Sequence, residues 1–398
     1  MMMKRMLKIL LLAFCLPVGG EVFCQDVDSV ALVLSREGFF NVRSAETDSM
    51  VVFTIENDRY KIQSEGVARA VSIIEGAGLA AEKPVRLIVT EYKTPQISVN
   101  FDPGIGDWKA TTRLDEGWDL VRKQKKLNDS FGKVSIVVYP QVALKNLIIN
   151  QVYQSLWVLS PALEVSLWPG MKFSYQLQFP IFNDGYGLYE SKIHPSMITL
   201  SQRFRDPWNL NITGRLSVGT FSGARFGAAL QLKYYFPNER FSLDGQAAYL
   251  GVYYFDSFNW HFDAKNMAFR WNVAANYYDP NYQTQFTLRM QKFLQGDLGI
   301  KFEMIRHFKH CSIGVYAMKG LDGGKTNGGF RFQIALPPYR MKRHGYWPTV
   351  TTSANMGMVY NANNEQFYYK EFKSEASDNI MTINALNPLY VTRQIGCY

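Results

Sequence analysis

From Lys133 onward, hydrophobic and polar positions alternate at every second residue, and the alternation recurs in one segment after another. In residues 225–236, apolar side chains such as Phe226 and Leu230 share one face, whereas Gln231 and Lys233 lie on the other. A period of two is that of a β-strand, because successive side chains point to opposite faces. The same pattern occupies residues 171–179, 210–218, 267–277 and 284–290. The second part of the chain therefore predicts a long series of β-strands.

Two features favour a closed membrane barrel over a large soluble β-sandwich, which would alternate as well. The polar face carries Arg and Gln rather than the Lys, Glu and Thr usual on a solvated sheet. Aromatic residues gather at strand ends, where membrane-interface girdles belong; they are Tyr234, Tyr235, Phe236, Tyr277, Tyr278 and Phe293. Turn signals such as residues 237–238 and 279–281 separate roughly twelve to fourteen strands between Lys133 and Pro337, and an even number is expected of a single-chain barrel.

The chain before residue 102 has a mixed period and predicts a small α+β domain over residues 25–101. Positions at helical spacing are Val27, Ala31 and Leu34, then Val67, Val71 and Ile74; strand-like alternation occurs at 51–55, 85–89 and 97–101. The expected order is helix, strand, helix, strand, strand. Ser64 is expected to cap the second helix, and Gly76 and Gly78 to end it.

Residues 102–132 are polar and predict a connector between this domain and the strands. Their basic cluster, Arg122, Lys123, Lys125 and Lys126, fits a solvated helix or linker; a phosphate- or membrane-binding patch is the alternative. The barrel is then expected to occupy residues 133–398, with a less regular C-terminal segment that adds a strand near residues 354–360.

The first 24 residues have the pattern of a secretory signal peptide. Basic residues precede the apolar run 9–16, and small residues follow before a polar stretch begins. Cleavage is expected before Gln25; acylation of Cys24 is the alternative, although Phe23 stands where a lipoprotein site has a small residue. No later segment offers 18 consecutive apolar residues, so a membrane crossing would require a closed barrel. We therefore predict an outer-membrane barrel of a Gram-negative envelope, with the α+β domain in the periplasm.

The composition refines this picture. Aromatic residues make up 15% of the chain, and the formal net charge is +9. Only Cys311 and Cys397 lie beyond the predicted signal peptide, so no disulfide framework is expected. A basic exported protein points to anionic glycans or surfaces as partners before nucleic acid.

Alternation assigns a set of basic side chains to the barrel interior: Lys172, Arg203, Arg215, Arg225, Lys233, Arg270, Arg289 and Arg331. Their acidic neighbours are expected to be Asp244, Asp297 and Glu303. A lumen lined in this way attracts polyanions, and Arg pairs with carboxylate or phosphate groups at two points. The alternative is that these charges only solvate a water-filled lumen or pair within it.

Several blocks of the barrel region resemble the YjbH-like family of exopolysaccharide-associated outer-membrane proteins. The blocks are Ser201-Gln202-Arg203-Phe204, residues 214–219, Arg225-Phe226-Gly227, residues 292–299, Arg306-His307-Phe308, residues 328–332 and residues 334–337. The resemblance covers about residues 185–338 and implies export, a barrel, and a role in secreting extracellular polysaccharide. Several members are longer, so this chain resembles a compact version. Its N-terminal domain resembles a periplasmic module of the family only loosely.

No reaction is predicted. The histidines are His194, His261, His307, His310 and His344, and none falls in a recognisable nucleophile–base pattern. His307, His310 and Cys311 are too few for a metal site. Residues 320–329 are rich in glycine but lack the first glycine of a phosphate loop, because Lys319 stands there. We therefore expect no enzymatic activity, cofactor or metal.

The sequence thus favours a barrel that assists export or surface assembly of an anionic exopolysaccharide. Its expected partners are outer-membrane lipid, the polysaccharide and other components of a secretion system, but not nucleic acid. Two alternatives stay open: a general porin or structural envelope barrel, and an outer-membrane lipid-modifying enzyme.

Overall fold

The structure, a computed structural model, describes residues 26–81, 83–146, 153–206, 208–256, 259–323, 326–345, 347–361, 370–379 and 386–397. The predicted signal peptide and its cleavage site lie outside these ranges. Within them, no helix is both long enough and apolar enough to cross a membrane.

The N-terminal domain is a five-stranded sheet covered by helices. Its elements are α1 (Val27–Glu37), β1 (Phe40–Glu46), β2 (Val51–Glu56), α2 (Gln63–Gly76), β3 (Val85–Glu91), β4 (Thr94–Phe101), β5 (Trp108–Thr111) and α3 (Glu116–Val121). The strands lie in the order β1-β2-β3-β4-β5. Strands β2 and β3 are parallel because α2 forms the crossover between them, and the other pairs are antiparallel. The apolar faces of α1 and α2 meet one side of the sheet in a fully buried core.

The domain extends further than the sequence pattern predicted. Strand β5 and helix α3 lie within the expected connector, yet β5 pairs with β4 and Trp108 packs on Phe101 with 5.2 Å between ring centroids. Strand β1 was also missed, because polar residues such as buried Asn41 and half-buried Arg43 and Ser44 interrupt the alternation. Ser64 does not cap α2: the capping position belongs to Ile62, without a side-chain hydrogen bond, and Ser64 is buried inside the helix.

The described residues between 134 and 361 form a closed barrel of thirteen strands. The first twelve strands follow one another in an antiparallel series: β6 (Val134–Asn146), β7 (Tyr153–Ser166), β8 (Met171–Asn183), β9 (His194–Arg205), β10 (Ile212–Phe221), β11 (Arg225–Tyr235), β12 (Phe241–Asp256), β13 (Asn259–Asp279), β14 (Thr284–Lys292), β15 (Leu298–His307), β16 (Cys311–Gly320) and β17 (Thr326–Ala335). The last strand consists of two pieces, β18 (Thr349–Thr352) and β19 (Asn355–Asn361), close to the strand expected at 354–360.

The expectation of an even strand number was wrong. Strand β19 pairs antiparallel with β17, and both β18 and β19 pair in parallel with β6. In an up-and-down series with an odd number of strands, the first and last strands run in the same direction. Closure then requires one parallel pair, which the alternation of a sequence cannot reveal.

The barrel is apolar outside and polar inside. Along β14, for example, Leu288 and Met290 are exposed on the outer surface, whereas Thr287 and Gln291 are buried inside. Other inward positions hold small hydroxyl or amide side chains, including Ser174, Gln176, Thr199, Ser201, Ser217 and Gln333. An apolar exterior around a polar interior is the inverse of a soluble core and the arrangement of a membrane barrel.

The C-terminal residues return through the barrel. Residues 370–379, here called the inner segment, lie inside the lumen and include a 3₁₀ turn at Ala376–Asn379. Helix α4 (Pro388–Ile395) packs on α2 and β5, and its Val391 is fully buried in the core of the domain. The predicted irregular C-terminal segment is therefore divided between the lumen and the domain.

The domain covers one mouth of the barrel, here called the near mouth. Asp58 accepts hydrogen bonds from Lys133, just before β6, at 2.6 Å and from Arg343 at 2.9 Å. The hairpin between β3 and β4 reaches the turn after β7, where the Gly170 N–H donates to the Tyr92 carbonyl at 2.6 Å. The opposite opening, with the loops 222–224 and 293–297, is here called the far mouth.

Candidate functional site

Three predicted lumen cations come together because neighbouring strands bring them to one level. Arg203 on β9 and Arg215 on β10 are direct register partners, and Lys172 on β8 is paired with Ser201, two residues from Arg203. All three side chains point inward from consecutive strands. Lys172 is fully buried, and the guanidinium groups of both arginines are largely so.

These cations converge on one carboxylate, Glu375 of the inner segment. Arg203 donates to both carboxylate oxygens at 3.0 Å, Lys172 Nζ lies 2.9 Å from Oε2 and Arg215 Nη1 lies 3.2 Å from it. Glu375 has no solvent exposure. A buried carboxylate is costly unless several charge-assisted hydrogen bonds compensate its lost hydration. Glu375 has that compensation from three strands at once.

Two further acidic residues complete this cluster. Asp378, also in the inner segment, accepts from Arg215 at 2.6 and 2.9 Å. Glu164 on β7 lies 3.6 Å from Lys172 and accepts from the Tyr139 hydroxyl at 2.6 Å. From the near mouth, the ring of Tyr92 lies 5.1 Å from Lys172 Nζ and 4.7 Å from the Arg203 guanidinium.

A second cluster lies on strands β14 to β17. Glu371 of the inner segment accepts from Lys301 at 2.8 Å and from Gln291 at 3.0 Å. Arg331 pairs with the wall residue Glu303 at 2.9 Å. Arg289 lies 3.7 Å from Asp244, so two of the predicted acidic neighbours do face predicted cations.

The three other predicted residues also point inward but do not join either cluster. Arg270 donates from Nε and Nη2 to the carbonyl of Leu294, which ties it to a loop of the far mouth. Arg225 is the first residue of β11, beside that same mouth, and is the register partner of Phe221. Lys233 lies 4.7 Å from the ring of Tyr235 near the other opening.

Sequence reasoning missed Lys301, Glu164 and the three acidic residues of the inner segment. Lys301 alternates with exposed Ile300 and Phe302, so the signal that identified the other cations was present. The acidic residues of the inner segment have no such signal, because residues 370–379 form no strand. Their position in the lumen follows only from the fold.

The inner segment does not fill the lumen. A cavity of about 490 Å³ remains beside it, with Arg215, Lys233, Arg289, Arg331 and the side-chain amides Gln231, Gln246, Asn272, Asn276 and Gln285 among its lining residues. Among the described residues, none accepts a hydrogen bond from the buried Nε of Arg215 or of Arg289. The site can therefore bind anionic and hydroxyl-bearing groups.

At the near mouth the fold brings a serine and a histidine together, which the sequence pattern did not reveal. The Nδ1 atom of His307 and the Ser312 hydroxyl are 2.9 Å apart and buried. A catalytic histidine of this kind needs a partner on its other ring nitrogen, but Nε2 of His307 has no hydrogen-bond partner in the described part of the chain. Those same residues contain no group of three His, Cys, Asp or Glu able to hold a metal ion.

Comparison with known proteins adds little to this description. No protein-family model matches the chain, and no curated protein matches its sequence. Among solved structures, a mutant of the Rh. blastica porin is similar over 50% of this chain and 89% of its own, with a TM-score of 0.30 and 9% identity. The assignment as a barrel rests on the strand pairing above, and the resemblance to YjbH-like proteins stays a prediction.

Proposed function

We propose that this chain is an outer-membrane barrel, with its small domain in the periplasm, that assists export or surface assembly of an anionic exopolysaccharide. The observation that carries the proposal is the convergence of Lys172, Arg203 and Arg215 on one point of the lumen. The apolar exterior and the polar, cation-rich interior support a membrane position and an anionic ligand, respectively.

The chemistry of the cluster fits a carboxylated sugar. A uronic acid presents the same planar carboxylate as Glu375, and a guanidinium group binds such a carboxylate at two points. The neighbouring cavity supplies side-chain amides for sugar hydroxyl groups. A polymer with repeated carboxylates would meet the second cluster, around Lys301 and Arg331, further along the lumen.

A general diffusion porin is the less favoured alternative. Such a pore requires an open lumen, whereas here residues 370–379 occupy the interior and the domain covers the near mouth. A closed structural barrel of the envelope is a better second candidate, because a structural role does not require an open lumen. The structural barrel and the proposed export protein make different predictions. Loss of the lumen cations should lower surface polysaccharide only if the protein assists export.

The test is deletion of the gene followed by quantification of cell-surface polysaccharide. We expect a loss that the wild-type gene restores and that the Arg203→Gln/Arg215→Gln variant does not. A matched control is Lys292→Gln/Arg306→Gln, which removes two exposed cations of the barrel exterior. Each variant is compared at equal outer-membrane abundance. Unchanged polysaccharide in the deletion strain would refute the proposal.

The periplasmic domain is proposed to dock other components of the secretion system. Its position over the near mouth, held by Asp58, supports this role. Affinity capture with the full-length protein is expected to recover envelope components that are absent from a control capture made from the same detergent extract without the protein. Capture of none would contradict the docking role without affecting the lumen proposal.

A further inference from the structure

We propose that the inner segment is an internal carboxylate ligand that occupies the binding site for the anionic polymer, and that a carboxylated glycan displaces it. This inference rests on the proposed function and adds to it the ligand chemistry and the way in which the site is kept closed. It assigns the lumen cations to two successive partners, first the chain's own carboxylates and then those of the glycan.

The acidic residues of the inner segment are regularly spaced. Glu371, Glu375 and Asp378 recur every three or four residues, and each meets a cation of the wall. The segment therefore presents a row of carboxylates to two separate basic clusters. A polyuronate presents the same groups in a row, so the two ligands compete for the same guanidinium and ammonium groups.

Charge-assisted contacts make up most of the polar attachment of the inner segment to the wall, among them bonds from Arg215 to Ser374 and from Lys172 to Ser377. In the described part of the chain, its apolar contacts are Phe372 against the small cluster around Phe221, with 5.7 Å between the two ring centroids, and Ala376 beside Tyr139 and Ala162. Backbone bonds join it to the far mouth at two points, from the Ser222 N–H to Lys373 and from the Leu294 N–H to Lys370. Because the attachment depends mainly on ion pairs, another polyanion can replace the segment at the same cations with a small net change in free energy.

The cavity beside the inner segment gives a glycan access to the lumen cations. The cavity of about 490 Å³ runs beside the inner segment and is lined by Lys233, Arg289 and Arg331 as well as by Arg215. A glycan entering this cavity meets the cationic side chains of Lys233, Arg289 and Arg331, which line it. It can then exchange with Glu371 and Asp378, which also line the cavity, without first emptying the lumen.

The direct test compares the wild type with Glu371→Gln/Glu375→Gln/Asp378→Asn, both as full-length protein in planar bilayers. We expect the variant to show anion-selective conductance at least about tenfold above the wild type, since one tenfold step corresponds to about 1.4 kcal/mol and several ion pairs are lost. A charge-matched control, Glu46→Gln/Asp102→Asn/Asp119→Asn, removes three exposed carboxylates of the domain and should stay at the wild-type level.

Ligand chemistry is tested by calorimetric titration of the same proteins in detergent with oligogalacturonate, maltooligosaccharide and inorganic phosphate. The variant should bind oligogalacturonate about tenfold more tightly than the wild type does, while maltooligosaccharide binds neither. If inorganic phosphate bound as tightly as oligogalacturonate, the assignment to a carboxylated polymer would be wrong. Equal conductance and equal oligogalacturonate affinity in the two proteins would overturn the whole inference.

A second variant keeps the inference testable if the triple variant does not fold. Ser222 and Lys373 exchange two hydrogen bonds, at 3.1 and 2.8 Å, so Ser222→Cys/Lys373→Cys in a Cys311→Ser/Cys397→Ser background can tie the inner segment to the wall. The oxidised form should lose oligogalacturonate binding, and reduction should restore it. Equal binding in both forms would contradict displacement.

These outcomes are separate from those of the proposed function. Surface polysaccharide in the deletion strain tests the cellular role, whereas conductance and oligogalacturonate binding test the lumen alone. Displacement can therefore fail in a protein that still assists polysaccharide export. Conversely, displacement can be observed in a protein whose deletion leaves surface polysaccharide unchanged.

Discussion

The domain and the barrel use the same kinds of side chain in opposite places. In the domain, Phe53 and Ile55 are fully buried between the sheet and its helices. In the barrel, Leu288 and Phe302 are exposed on the outer surface, while Lys172 and Glu375 are buried inside. Exposed apolar residues of a membrane barrel face lipid, whereas those of the domain face water, so the proposed membrane position predicts that the same substitution has different effects in the two regions.

Buried acidic residues differ between the regions as well. Glu56 in the domain accepts hydrogen bonds from neutral groups, including the Asn41 side chain at 2.9 Å and the Lys93 backbone N–H at 2.7 Å. Glu375 in the barrel is surrounded by three cations within 3.2 Å. The domain tolerates a carboxylate, whereas the barrel uses one as a structural counterion.

The largest predicted effect concerns exposed leucines. Leu288→Arg at the middle of β14 should lower the free energy of unfolding in a bilayer or micelle by about 2–4 kcal/mol, because the charge enters the apolar band. Leu32→Arg on α1, where the leucine is 41% exposed, should change it by less than about 0.5 kcal/mol. Denaturant titration of the two full-length variants measures both values. Equal costs would mean that the two surfaces do not face different solvents.

The sequence was sufficient to predict the barrel because the rule of alternation is local. Each strand carries its own pattern of apolar and polar residues, and Phe226 or Leu230 needs no distant partner to show which face is outside. The approximate number of strands and the inward direction of the eight basic residues followed from that rule, although the odd count of thirteen did not. The parallel closure of β6 with β18 and β19 did not, since it depends on where the chain ends meet.

The candidate site was only half predictable for the same reason. Wall cations belong to periodic strands, but their partners Glu371, Glu375 and Asp378 belong to an irregular stretch more than 150 residues away from Arg203 and Arg215 in the chain. Nothing in the local pattern of that stretch distinguishes a lumen segment from a surface loop. A similar limit applies to α4, whose Val391 completes a core formed by the opposite end of the chain.

The next prediction concerns the joint between the two regions. Asp58→Asn removes the carboxylate that binds Lys133 and Arg343, and charge-assisted hydrogen bonds of this kind contribute about 1.5–3 kcal/mol. Hydrogen exchange should accelerate at residues 133–135 and 340–343, while the barrel strands keep their protection. Unchanged exchange at both segments would show that the domain is held by other contacts.

The same joint should depend on pH with a definite sign. Burial alone would raise the pKa of Asp58, but the charges of Lys133 and Arg343 outweigh it and hold the pKa below its ordinary value of about 3.9. Stability from this group is therefore complete above about pH 3.9 and is lost as the pH falls through the lowered pKa. The difference between wild type and Asp58→Asn should shrink over that interval; a constant difference would contradict the assignment.

The smallest predicted effect has the opposite sign and compares the two buried glutamates directly. Burial raises the pKa of Glu56, and neither Lys133 nor the Lys93 N–H offsets it. In the folded protein, the Glu56 carboxyl therefore stays protonated at pH values above its ordinary pKa of about 4.3. Its contribution to stability is complete below that pH and is lost as the pH rises through the raised pKa. Glu56→Gln keeps an oxygen for both hydrogen bonds and should stabilise the protein at pH 8, where the ionised wild-type carboxyl is disfavoured by burial.

The identical chemical change at Glu375 should destabilise the protein, because it leaves three inward cations without their common anion. Unfolding free energies of both variants at pH 5 and pH 8 provide the measurement. The unfolding free energy of Glu56→Gln, relative to that of the wild type, should increase from pH 5 to pH 8. Glu375→Gln should be less stable than the wild type at both pH values. If the two substitutions had the same sign at pH 8, burial rather than the surrounding charge would govern acidic residues in both regions, and the contrast between them would fail.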